Sequence, residues 1–153
     1  MTAMTALAAS PALPAVEAFQ ACLAAEHAVV YGYGVLGGRL ARVGPGSTTE
    51  TLVEAAYAEH RGLRDQLLAT VLDLGAEPVA AEPAYATPDL ADVGDCRQLA
   101  RDLEQRCAAV YADAVAETLD DARELAALSL RGCAIRATRL DAPVETYPGL
   151  TGR

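Results

Sequence analysis

The first half of the chain carries two runs of apolar residues that recur every three or four positions, the spacing of one face of a helix. The runs occupy about 16–40 and 47–75 and are separated by a Gly-Pro-Gly turn. Ser47 and Glu50 have the spacing of a capping box, and Gly75 is a residue type that commonly ends a helix. The pattern therefore predicts a helical hairpin. Its inward faces are predicted to consist of Val16, Phe19, Leu23, His27, Val30 and Gly34 in the first helix and Val53, Ala56, His60, Leu63, Leu67, Val71 and Leu74 in the second.

The second half repeats this organisation after a long connection. Residues 76–92 contain three prolines and little periodicity, so we predict an extended crossover that travels the length of a bundle. Helices are predicted at about 95–119 and 121–140. The inward faces are predicted to be Leu99, Leu103, Cys107, Val110, Ala114 and Glu117, and Leu125, Leu128, Gly132, Ile135 and Arg139. The fold class is all-α: an antiparallel four-helix bundle of two hairpins joined by a long, Pro-containing crossover.

The length of 153 residues suits one domain. We predict a flexible amino-terminal tail at 1–14, the bundle at 15–150 and a short tail at 151–153. The amino-terminal segment lacks the positive residues of a signal peptide, and no apolar run is long enough to span a bilayer. These features favour a cytoplasmic protein with no membrane partner.

The charge pattern excludes further classes of partner. The formal net charge is −9, and all twelve cations are arginines spread among acids rather than collected on one face. Nucleic acid and anionic membrane surfaces are therefore not expected to bind. Exposed alanine- and leucine-rich helix surface favours a homodimer.

The four cysteines, Cys22, Cys96, Cys107 and Cys133, form no C-x-x-C pair. This spacing argues against a zinc ribbon or a thioredoxin-like motif. Cys107 and Cys133 lie at equal distances from the turn near Asp120, so a bridge between neighbouring helices is geometrically allowed. The interpretation we favour is buried reduced thiols, because free cysteine commonly behaves as a small core residue.

Residues 32–37 match the dinucleotide fingerprint G-x-G-x-x-G, but they follow a helical stretch instead of a strand. We therefore do not predict nucleotide binding. Four glycines in one helix interior would cost roughly 4 kcal/mol relative to alanine. The favoured compensation is close approach of another helix at Gly34 and Gly38; the alternative is a local widening of the helix beside a bound group.

Two adjacent pairs, Glu26-His27 and Glu59-His60, are candidates for chemistry. The two histidines lie at equal distances from the turn of the first hairpin, so they are expected at the same height, and both fall on the predicted inward faces. Two carboxylates and two imidazoles at one level are suitable ligands for iron, manganese or zinc. The alternative is that the histidines hydrogen-bond to carboxylates, as buried polar groups normally do.

Four separated segments carry a resemblance to a known family: 24–34, 60–65, the Glu82-Pro83-Ala84-Tyr85 crossover segment and the closing Tyr147-Pro148-Gly149-Leu150. In this order they resemble the actinobacterial ferritin-like domain of unknown function, over about 16–150. The resemblance implies a ferritin-like four-helix bundle. It brings no established activity.

The sequence departs from the di-iron pattern of ferritin-like proteins, which takes one glutamate from each of two helices and a Glu-x-x-His pair from each of the other two. Tyr57 stands three residues before His60 where that pattern has glutamate, and the second hairpin contains no histidine. Glu104 is a candidate ligand on the third helix, but its level partner is Ile135 or Arg136. A salt bridge between Glu104 and Arg136 is the more natural arrangement.

The first hypothesis is a non-enzymatic binding or interaction module with a degenerate metal site and no cofactor. Glu26 and His60 then form a buried pair between helices, and Arg64 extends the network. Three tyrosines near the same level, Tyr31, Tyr33 and Tyr57, supply hydroxyl partners or line a small polar ligand pocket.

The second hypothesis is a redox or peroxide-handling protein that depends on iron or manganese. Its ligands would be Glu26, His27, Glu59 and His60. Purified protein with stoichiometric metal would favour this hypothesis over the first.

Overall fold

The computed structural model describes residues 12–150. They form four helices: α1 at Ala12–Val43, α2 at Thr48–Asp73, α3 at Val93–Glu117 and α4 at Asp120–Arg139. No strand occurs among these residues. The predicted all-α fold, with two hairpins and a crossover, is confirmed.

Three helix ends are set by local chemistry. The Ser47 side chain accepts a hydrogen bond from the Glu50 amide at 3.1 Å, which begins α2. Gly75, at a φ of +79°, follows the end of α2 in the left-handed conformation that glycine tolerates. Asp92 and Asp95 form a complete capping box at the start of α3.

The crossover, residues 74–92, runs alongside α1 from one end of the bundle to the other. Gln20 bonds to the backbone of Glu77 and Val79, and Arg39 donates to the carbonyl oxygens of Leu90 and Ala91. Later residues of the crossover contact later residues of α1, so the two segments run parallel. It brings α3 to the end where α1 stops, so neighbouring helices are antiparallel.

The core lies between the four helices, and α1 and α3 form its centre, since each packs extensively against a helix of its own hairpin and against the other. Five of the seven predicted inward residues of α2 are buried: Val53, Ala56, His60, Leu67 and Val71. Leu63 is half-buried, and Leu74, just after the end of the helix, is exposed.

The predicted inward faces of α1 and α4 need correction. In α1 the buried stripe continues from Leu23 to Glu26 instead of His27, because steps of four residues drift off a helix of 3.6 residues per turn. In α4 the prediction is displaced by one residue along the chain. The buried positions of α4 are Ala126, Ser129, Cys133, Arg136 and Ala137, whereas Leu128 and Ile135 are exposed.

The glycines of α1 permit one close approach, at a different position from the predicted one. A Cβ at Gly32 would lie 2.7 Å from Leu103 Cδ1 on α3, so the leucine packs directly on the helix backbone. Gly34 has only an ordinary contact with Tyr57, and Gly38 faces open space. The predicted close approach at Gly34 and Gly38 is therefore wrong, and the close contact lies at Gly32, which was not predicted.

The start of α1 at Ala12 also shifts a predicted boundary. Residues 12–14 belong to the helix, where Pro14 is tolerated because the first turn needs no amide donor. The remainder of the predicted amino-terminal tail, and the tail at 151–153, lie outside the described residues. Within the described part of the chain, none of the helices combines the length and apolarity needed to cross a bilayer.

Candidate functional site

A layer of polar side chains crosses the middle of the core, and each helix contributes to it. Its charged members are Glu26 on α1, His60 on α2, Glu104 on α3 and Arg136 on α4. The first three are fully buried, and Arg136 is 8% exposed. Two carboxylates therefore face two cationic side chains inside the bundle.

His60 lies between the two carboxylates. Its Nδ1 is 2.7 Å from Glu26 Oε2 and its Nε2 is 3.0 Å from Glu104 Oε1. Only the protonated ring can donate through both nitrogens at once. Tyr33 stacks against the imidazole with ring centroids 5.4 Å apart, which fixes the plane of the ring. The predicted Glu26–His60 pair is confirmed, and Glu104 extends it.

The other oxygen of Glu26 is also satisfied by donors from the third helix. Tyr111 donates its hydroxyl to Glu26 Oε1 at 2.7 Å, and the Cys107 thiol lies 3.5 Å from the same oxygen. The buried Glu26 carboxylate thus has partners at both oxygens, which offsets the cost of removing it from water.

Glu104 receives its hydrogen bonds on a single oxygen. Tyr33 donates to Oε1 at 2.6 Å, and Arg136 Nε donates to it at 2.9 Å, in addition to His60. Glu104 Oε2 is buried and has no hydrogen-bond partner among the described residues. The predicted Glu104–Arg136 salt bridge is confirmed.

Arg136 connects the interior to the surface along the line where α2 and α4 meet. Its Nη1 donates to Glu59 Oε2 at 2.6 Å, and its Nη2 lies 3.4 Å from the Cys133 sulfur. Glu59 itself is mostly exposed. The guanidinium group therefore fills the space between Glu104 inside and Glu59 at the edge.

The electrostatics of this layer follow from its contacts. Burial alone would lower the pKa of His60, but the hydrogen bonds to Glu104 and Glu26 outweigh it and raise that pKa to about 9. Burial would raise the pKa of Glu104, but His60 and Arg136 together hold it below its usual value. Burial and the adjacent carboxylates raise the pKa of the Tyr33 and Tyr111 hydroxyls, which stay protonated as donors. The layer is thus stable as carboxylates, imidazolium and guanidinium.

The four cysteines are buried and free. A hydrogen bond with Cys133, together with burial, raises the pKa of the Cys107 thiol well above its ordinary value. Burial beside Glu26 raises the pKa of Cys22 to about 12. Cys107 and Cys22 therefore lack the thiolate character of reactive cysteines.

The structure separates the other predicted site residues from this layer. His27 points to the crossover, where its Nε2 lies 3.1 Å from the Val79 carbonyl oxygen. Glu59 reaches the layer only through Arg136. Glu26, His27, Glu59 and His60 therefore do not meet at one point, because adjacent residues on a helix face different directions.

Three further predictions about the polar network also need correction. Tyr31 packs against Tyr85 of the crossover, with ring centroids 5.4 Å apart, and Tyr57 lies under the Arg61 guanidinium. Arg64 pairs with Asp65 at 2.7 Å on the surface. Of the predicted tyrosines, only Tyr33 reaches the layer.

Three residues that contact the charged members were not predicted as site residues: Cys107, Tyr111 and Cys133. Tyr111 is seven residues after Glu104, two helical turns along the same face of α3. That spacing is a signal that could have identified it. Cys107 and Cys133 were expected at one level because of their equal distances from the turn near Asp120, but as core thiols or a possible bridge and not as partners of the charged residues.

The donor set does not fit a di-iron centre. Glu26 and Glu104 have the positions of the single glutamates in that pattern, but α2 supplies Tyr57 and His60, and α4 supplies Cys133 and Arg136, where two Glu-x-x-His pairs are needed. Glu104 Oε2 is the one buried side-chain oxygen without a partner among the described residues, and a single ligand atom is not enough to hold a metal ion. A smaller group is closer to a metal-ligand set: donor atoms of Glu26, His60 and Cys107 lie within 4.8 Å of one another.

A second feature is a groove on the outer side of α3 and α4. Residues 141–150 run back from the end of α4 and form its wall, and the volume of this open groove is about 520 Å³. The floor is made largely of small side chains, including Ala108, Ala127 and Ala134. This volume lies in the range of small-molecule pockets, about 300–1,000 Å³.

Comparison with solved structures identifies the architecture. A ferritin-like, diiron-carboxylate protein from Bacillus anthracis str. Ames superposes with a TM-score of 0.67 and 16% identity, covering 87% of this chain and 94% of that one. A conserved hypothetical protein from Mycobacterium tuberculosis superposes with a TM-score of 0.75 and 29% identity, covering 84% and 95%. The chain is therefore a four-helix bundle of the ferritin-like class.

The family is shown by a match over most of the sequence. The model of the family described as Domain of unknown function (DUF4439) matches residues 18–152, and the chain belongs to this family. Comparison with curated proteins found no match.

Proposed function

We propose that this protein is a non-enzymatic, metal-independent binding module built on a ferritin-like bundle. The observation that carries the proposal is Arg136, whose guanidinium group lies 2.9 Å from Glu104 in the middle of the core. Arginine keeps its positive charge at every accessible pH and has no lone pair for a metal. A resident cation therefore balances the carboxylates that would otherwise attract an ion.

His60 supports the same interpretation. Both of its ring nitrogens are engaged with carboxylates, at 2.7 and 3.0 Å, so neither offers a free lone pair to a metal. Satisfied buried networks of this kind specify one arrangement of the helices. We infer that the layer serves stability and register, and that binding takes place on the outside of the bundle.

A metal-dependent redox or peroxide-handling protein is the second candidate. It is favoured by the proximity of donor atoms in Glu26, His60 and Cys107. Binding an ion there would require the imidazole and the thiol to release their hydrogen-bonding protons. It would also place a divalent ion near Arg136, which Coulomb repulsion opposes.

Elemental analysis of protein purified without a metal-affinity tag discriminates the two candidates. The binding module predicts substoichiometric iron, manganese and zinc, and a melting temperature unchanged by a chelator or by added Fe²⁺ or Mn²⁺. One or two ions per chain, with a melting temperature that falls on chelation and does not respond to metal in His60→Ala, would instead establish the metal-dependent function.

We further propose a cytoplasmic homodimer. Two large apolar side chains on helices, Leu72 and Leu128, are exposed at 60% and 55%. Burial of such residues is the usual driving force for association of helical subunits. Analytical ultracentrifugation at several concentrations tests the dimer, and a monomer at all of them would contradict it.

A further inference from the structure

Two large apolar residues of α4, Leu130 and Ile135, lie at the groove. Leu130 is half-buried and Ile135 is 41% exposed, and both line the groove, while the inward positions are small or polar. Leu130 also packs against the core, so it is Ile135 that presents a large apolar side chain mainly to the groove. An apolar lining of this size is a feature of ligand pockets.

The wall of the groove is fixed at its beginning. Arg97 Nη1 binds Asp141 Oδ2 at 2.8 Å, and Arg101 donates to the Asp141 carbonyl oxygen at 3.2 Å. The amide of Ala142 donates to the carbonyl of Ala137 at 3.0 Å. The segment is therefore held against α3 and α4 where it leaves the bundle.

The same wall is fixed again near its end by Gly149. This residue has a φ of +78°, and a Cβ there would lie 2.5 Å from the carbonyl oxygen of Ala108. Only glycine permits this contact between two backbones. Between the two attachments the segment arches over the alanine floor without filling it, and Val144 on the arch is 83% exposed.

The polar residues at the rim give the groove a charge. Arg131 and Arg139 line it from α4, eight residues and thus about 12 Å apart along the helix, and Glu145 lines it from the wall. Neither guanidinium group has a hydrogen-bond or ion-pair partner among residues 12–150. Two such arginines against one acid give a positive rim on a chain whose net charge is −9.

We propose that the groove binds a free long-chain carboxylate, with the hydrocarbon chain on the alanine floor and the headgroup at Arg131 or Arg139. Guanidinium groups match the planar carboxylate with paired hydrogen bonds, and the apolar lining takes the chain out of water. The excess of one positive charge at the rim matches a single negative headgroup. This inference rests on the proposed binding function and gives it a site and a ligand class.

The test compares two ligands of equal chain length, sodium dodecanoate and the neutral dodecanol, by calorimetric titration below their aggregation concentrations. The wild-type protein is expected to bind one dodecanoate, at least about tenfold more tightly than dodecanol, since a charge-assisted hydrogen bond is worth that factor. The double variant Arg131→Gln, Arg139→Gln should lose this preference and keep its affinity for dodecanol. The matched control is Arg106→Gln, an exposed arginine of α3 outside the groove, which should behave as the wild type.

A third variant, Ala134→Phe, fills the floor and should abolish binding of both ligands; its thermal unfolding checks that it is folded. Equal affinity for the two ligands, or an unchanged preference in the double variant, overturns the carboxylate headgroup. Binding of several molecules per chain that Ala134→Phe leaves intact overturns the groove as the site. The metal content of the purified protein tests the metal-independent function separately. The proposed function and the proposed ligand can therefore fail independently.

Discussion

The interior layer and the groove differ in how far their polar groups are paired and their apolar groups are buried. Inside, Glu26, His60, Glu104 and Arg136 come from four helices, and nearly every donor and acceptor has a partner within the protein. At the groove, Ile135 and Val144 expose apolar surface, and the rim arginines lack partners among residues 12–150.

The difference separates stability from recognition. In the interior network only Glu104 Oε2 is left without a hydrogen-bond partner among the described residues, and removing a charged member leaves its partner uncompensated. An apolar surface with unpaired charges has both the area and the hydrogen-bonding capacity to bind one. Changes in the interior should therefore alter folding strongly, whereas changes at the groove should alter binding with little effect on folding.

The largest effect is expected for Arg136→Leu, which breaks the buried pair with Glu104. Removing one partner of a buried ion pair destabilises by about 3–5 kcal/mol, because the remaining charge is uncompensated. Urea denaturation measures the loss in free energy of unfolding. The matched control is Arg64→Leu, which breaks a partly exposed pair with Asp65 and should cost under about 1 kcal/mol. Equal losses in the two variants would contradict the structural role of the interior.

The pH dependence of stability tests the same layer through His60. Its pKa rises from 6.5 to about 9 on folding, so its contribution is complete below pH 6.5 and is lost as the pH rises through 9. The lowered pKa of Glu104 acts in the opposite direction: its contribution is present above 4.5 and is lost as the pH falls through the lowered value.

The free energy of unfolding should therefore be greatest between about pH 4.5 and pH 6.5. It should fall by on the order of 3 kcal/mol as the pH rises above 9. Urea denaturation below pH 6.5 and above pH 9 measures the difference. In His60→Gln most of this alkaline loss should disappear. An alkaline loss that persists unchanged in the variant would show that other groups cause it.

These two predictions concern residues of α2 and α4, and the inward face of only one of these helices could be predicted from the sequence. The face of α2 was predictable because three of its core positions, Val53, Leu67 and Val71, are large and apolar. The face of α4 was not, since its buried positions are alanine, serine, cysteine and arginine, while its large apolar residues are only half-buried or exposed. Hydrophobic periodicity finds the most apolar face of a helix, and in α4 that is not the core face.

The candidate site shows the same limit. Residues at equal distances from a hairpin turn lie at the same height along the bundle. This rule predicted Glu26, His60, Glu104 and the Glu104–Arg136 pair. The rule does not determine which way a side chain faces around the helix axis. His27 and Tyr31 were therefore predicted in the core, although they lie on the side of α1 that the crossover covers. The groove had no signal at all, because it depends on where residues 141–150 lie in space.

A smaller effect is expected for Tyr111→Phe, which removes one donor from Glu26. Loss of a hydrogen bond to a buried charged group costs about 1.5–3 kcal/mol. Tyr31→Phe is the control, because Tyr31 packs against Tyr85 outside the layer and should lose only a few tenths of a kcal/mol, the usual effect of surface substitutions. Thermal and urea unfolding of both variants measure the contrast. If both tyrosines are equally dispensable, the Tyr111–Glu26 bond does not support the buried carboxylate.

The smallest effect on folding, and the largest on the groove, is expected for Gly149→Ala. A side chain at a φ of +78° costs about 1–2 kcal/mol, and its Cβ would meet the Ala108 carbonyl oxygen at 2.5 Å. The wall should therefore move away while the four helices stay packed. Dodecanoate binding should weaken far more than the melting temperature falls. Gly37→Ala is the control, because its Cβ would face open space in α1 and should stabilise by about 0.5–1 kcal/mol without changing binding. If Gly149→Ala unfolds the bundle as strongly as Arg136→Leu does, residues 141–150 belong to the folding core, and the separation between interior and groove fails.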